Sequence, residues 1–271
     1  MQAAASAADN GTSLVDLLKQ LPPPKPKRYY SGMLPLAVGC SDVRAVQWVW
    51  EQARAACDAS DIMTAFTSAI KRGHVAAAQF LHGKLSNVPA AAMRDWTHMC
   101  SAVDSGSVAT LQFLCDNALP TASTASAANR LFALEALFAA AIIGRYDMCK
   151  VIWSVVEKQP YMFPSLKNVV SGALSHGNAV DPEVADQSLL TIVRALLDYV
   201  VLNPSNTDRS TDFLDGAVLR AVQHDRLQCL LLVLNAGADV QFRRNEAVHK
   251  AHQAGRLATV KLLLDHGAFL G

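Results

Sequence analysis

The sequence predicts an all-α fold of about seven helix-turn-helix units stacked in an array. Seven times along the 271 residues, an alanine has an apolar residue three positions before it and a small or turn-prone residue four positions after it. The alanines are Ala37, Ala69, Ala102, Ala140, Ala173, Ala221 and Ala251. The apolar residues are Leu34, Phe66, Met99, Leu137, Val170, Val218 and Val248. The turn residues are Ser41, Gly73, Gly106, Gly144, Gly177, Asp225 and Gly255, spaced 32, 33, 38, 33, 48 and 30 apart. A period in this range is typical of stacked repeats.

The last copy, AVHKAHQAGRLATVKLLLDHGA at 247–268, shows why each unit is expected to contain two short helices. Val248, Ala251 and His252 have helical spacing on one face. Gly255 is expected to end that helix by adopting positive φ, and Gly267 to end the second helix, LATVKLLL. The repeated alanine fits where two helices approach closely, since a larger side chain would overpack at a cost of about 1–3 kcal/mol.

These copies resemble the ankyrin repeat, whose pattern is roughly TPLHxAxxxGHxxxVxxLLxxGA. His249 falls on the histidine of that pattern, Thr64 and Thr97 on its threonine, and Gly73 and His74 on its GH pair. The resemblance covers about residues 32–271 and is strongest in copies two, three, six and seven. It implies an ankyrin-repeat solenoid with short hairpin connections, in which first helices and hairpin tips line a concave groove. The tetratricopeptide repeat has a similar period, but its pattern includes a Trp and a Tyr early in each unit. This chain does not have them at those positions.

The segments outside the regular copies are assigned from composition. Residues 1–31 are expected to form an extension, with a short helix around SLVDLLKQL and a stiff linker, PPPKPKR, at 22–28. The repeat domain is assigned to 32–271. The acidic stretch AVDPEVADQS at 179–188 is expected to be a loop inserted within copy five, and 203–212 an exposed finger.

Composition excludes several classes of protein. The net charge is +1 and 51% of residues are hydrophobic, so no general attraction to nucleic acid or to acidic membranes is expected. The longest apolar run, ALFAAAII at 136–143, is far shorter than the ~20 residues of a membrane span. The N-terminus does not have the pattern of a secretory signal. Six scattered cysteines without a CxxC pair favour a reducing compartment, the cytoplasm or the nucleus.

The sequence contains only weak matches to motifs for ligand binding, metal binding or catalysis. The PxxPxR match through Pro23, Pro26 and Arg28 is more typical of a plain linker than of an SH3 ligand. His249, His252 and His224 have no accompanying cysteine or carboxylate cluster, so structural roles are favoured over metal binding. Cys149 lies in an apolar helix, which disfavours a reactive thiolate. We therefore expect no enzyme activity, no cofactor and no metal ion.

Tryptophans replace aliphatic residues in several second helices. Trp48, Trp50 and Trp153 are at core-type positions, and packing is the favoured interpretation. Trp96, beside the hairpin before copy three, is the better candidate for an exposed contact.

The resemblance places groove residues one position before, and two and three positions after, each repeat alanine. With Trp96, the candidate partner-binding residues are Lys71, Arg72, Asp104, Ile142, Ile143, His176, Arg220, Gln223, His224, Lys250 and Gln253. They predict a groove with an apolar centre at the two isoleucines and a basic C-terminal half, to which Arg243, Arg244 and Arg256 add. The matching partner would be a segment with an apolar anchor and an acidic stretch.

The function expected from these observations is non-catalytic protein–protein interaction, with the groove as scaffold. The alternative is a substrate-recognition or adaptor subunit of a larger enzyme complex. The partner is expected to be a protein, not nucleic acid or a membrane. Because Leu262, Leu263 and Leu264 leave the last copy without a polar outer face, the sequence predicts either self-association through that copy or a longer array of which this chain is one piece.

Overall fold

The computed structural model describes residues 27–270 except 56, 86–95, 119–126, 158–163, 177–181 and 203–209. Within these ranges the chain forms fourteen helices in seven consecutive pairs, and no strand is present. The all-α prediction is thus confirmed. The helices are α1 (Lys27–Val38), α2 (Val43–Ala53), α3 (Ala59–Lys71), α4 (Val75–His82), α5 (Trp96–Ser105), α6 (Val108–Ala118), α7 (Ala127–Ile142), α8 (Tyr146–Val156), α9 (Pro164–His176), α10 (Pro182–Leu202), α11 (Ser210–Gln223), α12 (Leu227–Asn235), α13 (Phe242–Gln253) and α14 (Leu257–Asp265).

The chain divides into two compact units, Met1–Pro120 and Thr121–Gly271. In the first unit the helices of each pair pack on one another. The first helices α1, α3 and α5 also pack side by side, as do the second helices α2, α4 and α6. The first unit is therefore a two-layer stack with first helices in one layer and second helices in the other.

The second unit follows the same rule at its C-terminal end, where α11 packs on α13 and α12 on α14. Its fifth pair departs from the rule. The main neighbours of α9 are α8 and α10, whereas α7 packs against α8, α10 and α11. The first helix of the sixth pair therefore packs directly on that of the fourth.

The turn that ends each first helix has the expected geometry. Six of the seven turn residues are described, and all six have φ between 55° and 83°. Gly177 lies outside the described residues. In four copies the residue after the turn donates its backbone N–H to the carbonyl oxygen of the repeat alanine, over 2.9–3.0 Å. These bonds join His74 to Ala69, Arg145 to Ala140, Arg226 to Ala221 and Arg256 to Ala251. They satisfy a carbonyl that the helix end would otherwise leave without a partner.

Short polar side chains cap the N-termini of two helices, α2 and α3. Asp58 accepts a hydrogen bond from the backbone N–H of Asp61, and the Asp61 carboxylate accepts one from Asp58 N–H, at 2.9 and 3.2 Å. This reciprocal capping satisfies two backbone donors at the start of α3. Asp42 caps α2 with a single hydrogen bond, which its side chain accepts from Arg44 N–H.

The repeated small and apolar positions form the core of each unit. All seven repeat alanines are buried, none more than 8% exposed, and the apolar residues three positions earlier are at most 5% exposed. Close helix contact around a methyl group is thus common to every copy.

The boundaries of the irregular segments differ from the prediction. Helix α1 begins at Lys27, so the last residues assigned to the extension are helical; 1–26 lie outside the described residues. Helix α10 begins at Pro182, so 182–188 of the acidic stretch are helical and the expected loop is wrong there. Proline fits the first turn of a helix because its missing N–H has no partner at that position. Of the predicted finger, 203–209 are not described and α11 begins at Ser210.

Candidate functional site

In the first unit the predicted groove positions lie on neighbouring helices. Lys71 and Arg72 are exposed at the end of α3, and Asp104 is exposed near the end of α5. The Arg72 guanidinium reaches the turn of the first pair, where a Cβ added to Gly39 would lie 3.6 Å from the guanidinium carbon. These polar positions thus form a surface next to the turns.

In the second unit α11 and α13 present matched rows. Arg220 and Lys250 occupy equivalent positions and are half-buried. Gln223, Gln253 and His224 are exposed, three or four residues further along their helices. Since α11 and α13 are packed neighbours, these side chains form one polar surface.

The basic character of this surface is partly neutralised by acidic neighbours. The Lys250 Nζ lies 2.8 Å from Glu246 Oε1, and the Arg243 guanidinium lies 3.7 Å from Glu246 Oε2. The hydrogen bond from Lys250 lowers the pKa of Glu246 below its usual value. Arg256 lies 3.7 Å from Asp225. The surface is therefore polar with a moderate positive bias rather than strongly basic.

The predicted apolar centre of the groove is wrong. Ile142 is 0% exposed and Ile143 is half-buried. Every residue from 136 to 142 is buried, because α7 packs against α8, α10 and α11. The signal was present in the sequence, since a helix segment apolar on all sides is typical of a fully surrounded helix.

Two predicted contact residues have side chains outside the described part of the structure. Trp96 is the first residue of α5 and His176 is the last residue of α9. Their exposure therefore stays a prediction. Of the other tryptophans, Trp153 is buried as expected and its indole N–H donates to Ser171 Oγ over 3.0 Å. Trp48 and Trp50 are half-buried.

Polar side chains directly after the turns connect packed helix pairs, a role that the sequence pattern did not predict for them. The His74 Nδ1 donates to the Val38 carbonyl oxygen over 2.8 Å. The Arg256 guanidinium donates to the Val222 carbonyl oxygen, one position after the repeat alanine, as Val38 is in its own copy. Arg226 bonds to Asp186 over 2.8 Å. The available signal was a basic residue directly after the turn in copies two, four, six and seven.

The histidines of the first unit are packing residues. The His82 ring lies 6.2 Å from the Phe66 ring and 5.4 Å from the Phe113 ring, between centroids. Burial lowers the pKa of His82, so its imidazole is neutral at pH 7. His98 shares a 2.9 Å hydrogen bond with Thr67 Oγ1. In the second unit, by contrast, His249 is exposed. Its helix α13 packs against α11 and α14, and the side of α13 that carries His249 faces away from both. The structural role predicted for His249 is not seen.

The cysteines lack the surroundings of a reactive thiolate. All six thiols are free. Cys149 is fully buried, and burial raises the pKa of its thiol, which keeps it protonated. The described residues contain no group of three or more His, Cys, Asp or Glu that could hold a metal ion.

Comparison of the sequence with models of protein families and with curated proteins found no match. No helix in the described ranges combines the length and apolar character needed to cross a bilayer.

Proposed function

We propose that this chain is a degenerate ankyrin-type repeat protein that acts, without catalysis, as a protein-recognition module. Support comes from the paired short helices, the buried repeat alanines and the turns with positive φ. The observation that supports protein recognition is the pair of matched polar rows, Arg220, Gln223 and His224 at the end of α11 and Lys250 and Gln253 at the end of α13. Their polar side chains recur at equivalent positions of the two packed helices.

The rows suit an extended partner segment. Packed helices lie about 8–10 Å apart, so equivalent side chains on α11 and α13 meet a bound chain at intervals of roughly three residues. Gln223 and Gln253 can each donate and accept hydrogen bonds, which matches the backbone groups of such a segment.

The partner expected for this surface is polar and mildly acidic. Arg220 and Lys250 are basic, and Lys250 is paired with Glu246 of its own helix. The partner does not need the apolar anchor expected from the sequence, since Ile142 is buried. Polar contacts of this kind determine specificity and association rate more than affinity.

The test compares partners captured by the 271-residue chain and by two double variants. The surface variant carries Lys250→Glu and Gln253→Glu on α13. The matched control carries Arg194→Glu and Gln228→Glu, exposed positions on the packed second helices α10 and α12. Proteins bound after crosslinking are quantified by mass spectrometry.

The expected result is that the surface variant loses the specific partners at least about tenfold while the control retains them. Circular dichroism must show that both variants are folded. Equal recovery of every partner by both variants would mean that the α11–α13 surface is not the recognition site.

The same proposal places the protein in a reducing compartment, the cytoplasm or the nucleus. Six free thiols, four of them buried, are typical of such a compartment. Localisation of the tagged chain by fractionation tests this part separately.

A further inference from the structure

Two aromatic side chains of the first unit, Trp50 and Phe80, lie beside one ammonium group and are here called the aromatic pair. The Lys84 Nζ lies 5.9 Å from the centroid of the Trp50 ring and 5.1 Å from that of the Phe80 ring. A cation within about 6 Å of a ring centroid is attracted by the negative face of the ring. The aromatic pair therefore favours a positively charged group.

The surroundings of the aromatic pair favour a cation as well. Trp50 lies in the last turn of α2 and Phe80 in the last turn of α4, and helix C-termini carry partial negative charge. The Lys84 backbone N–H donates to the Leu81 carbonyl oxygen over 2.9 Å, which fixes the base of the Lys84 side chain next to α4. Glu51, which follows Trp50 in the sequence, pairs with Arg54 over 3.6 Å. Rings and helix ends, rather than that carboxylate, therefore stabilise the Lys84 ammonium.

The sixth copy shows how the same stack is built without aromatic rings. Trp50 lies nine positions after the turn residue of its copy, where copy six has Leu234. Phe80 lies seven positions after its turn residue, where copy six has Leu232. Leucine packs at both positions but offers no π face to a cation. Both rings are half-buried and Lys84 is exposed, so the site is open to solvent.

We propose that the aromatic pair binds the ammonium group of a lysine side chain on a partner polypeptide, with Lys84 as an internal competitor for the same place. The position of Lys84 shows that a primary ammonium on a flexible stem fits both rings. Two rings leave the other side of a bound cation in water, so the site by itself is weak. It suits a side chain whose remaining contacts come from the polypeptide that carries it, rather than a free small molecule.

The test is an NMR titration of the 271-residue chain with Nα-acetyl-lysine N-methylamide at constant ionic strength. The observed signal is the indole N–H of Trp50, assigned by its loss in Trp50→Leu. Saturable shifts with a Kd of roughly tens of millimolar are expected. The corresponding norleucine amide, which lacks the ammonium, should cause no comparable shift. The indole signal of Trp153, which is buried, should not respond to either compound.

Removing the internal competitor should strengthen binding of the lysine amide. Lys84→Met is expected to lower its Kd roughly two- to fivefold, the range of an exposed cation–π contact. The matched control is Lys150→Met, which removes a lysine that lies 5.3 Å from the single ring of Tyr146 and should leave Kd unchanged. Phe80→Leu, added to Lys84→Met, should raise Kd at least about threefold. Circular dichroism checks that each variant is folded.

Four results would each overturn the inference. They are a Trp50 signal of Lys84→Met that does not respond to the lysine amide up to about 100 mM, an equal response to the norleucine amide, a Kd that Lys84→Met does not lower, and a Kd that Phe80→Leu does not raise. An equal response to norleucine would mean that the rings make only apolar contacts.

The aromatic pair does not depend on the recognition surface of α11 and α13. The Lys250→Glu, Gln253→Glu variant should bind the lysine amide like the unmodified chain, so the two proposals fail independently.

Discussion

At the scale of single residues, the feature that recurs in the copies is a residue with positive φ in the turn after each first helix. The left-handed backbone suits glycine because other residues place a Cβ against the following carbonyl oxygen, at about 1–2 kcal/mol. Ser41 and Asp225 adopt it nonetheless, with φ of 55°. The turn therefore tolerates the strain of a side chain at these two exposed positions. The glycine turns differ in how much room a Cβ would have, and this distinguishes Gly73 from Gly255.

Gly73→Ala should be more destabilising than Gly255→Ala. Both glycines have φ near 70°, so the conformational strain is about the same. A Cβ at Gly73 would lie 2.8 Å from the Ser107 Cβ, whereas nothing lies within 4 Å at Gly255. We expect a loss in the free energy of unfolding of about 1 kcal/mol at Gly255 and roughly 2–4 kcal/mol at Gly73, measured by urea denaturation. Equal losses would show that the turn of copy two is less tightly packed than described.

At the scale of helices, the neighbours decide which side of a helix is exposed. Helices α11 and α13 each leave a polar face open near the turn. Helix α7 has the same repeat alanine and the same turn but is surrounded by α8, α10 and α11. Ile142, expected in a groove, is therefore a core residue. Substitutions on α7 consequently act on stability rather than on recognition.

Ala140→Asp should unfold the helices around α7. Ala140 is fully buried, so the new carboxylate would lack both water and a partner, at a cost of roughly 3 kcal/mol or more. The control Ala258→Asp lies at an exposed position in the first turn of α14 and should change stability by less than about 0.5 kcal/mol. Hydrogen exchange should show lost protection in α7, α8, α10 and α11 for the first variant alone. Unchanged protection would contradict the repeat register in this helix.

At the scale of the whole molecule, two units are each built around a core of their own. The six cysteines sample both. Cys100 and Cys115 are buried in the first unit, and Cys149 and Cys229 in the second. Cys40 and Cys57 are half-buried in the first unit. Burial, together with the carboxylates of Asp61 and Asp58, raises the pKa of Cys57 to about 11. Thiol reactivity therefore reports on both cores at once.

Titration of the native chain with a disulfide reagent at pH 8 should show Cys40 reacting first. Cys57 should follow more slowly and accelerate as the pH rises, because the reactive form is the thiolate and its pKa is raised. Four thiols should react only in step with unfolding, and six should be counted in denaturant. Peptide mapping of the labelled sites identifies them. Rapid labelling of Cys149 in the native state would contradict the burial of α8.

Local features made the helix pairs predictable. Apolar spacing of 3.6 residues, a small residue at close helix contacts and a residue with positive φ at the turn all operate within one copy. The sequence accordingly located the buried alanines and the turns from Ser41 to Gly255. The polar rows at Gln223 and Gln253 were predictable for the same reason, once the position of the repeat alanine was known.

What only the tertiary structure decided depends on residues far apart in the chain. The sequence alone determined an all-helical chain of repeated pairs, with its core positions and turn residues. It did not determine that α7 packs on α11, that Arg226 bonds to Asp186 forty positions earlier, or that Ile142 is covered. These outcomes follow from how the irregular fifth pair fits between its neighbours. Periodicity within a helix records which side is apolar, but not which distant helix covers it.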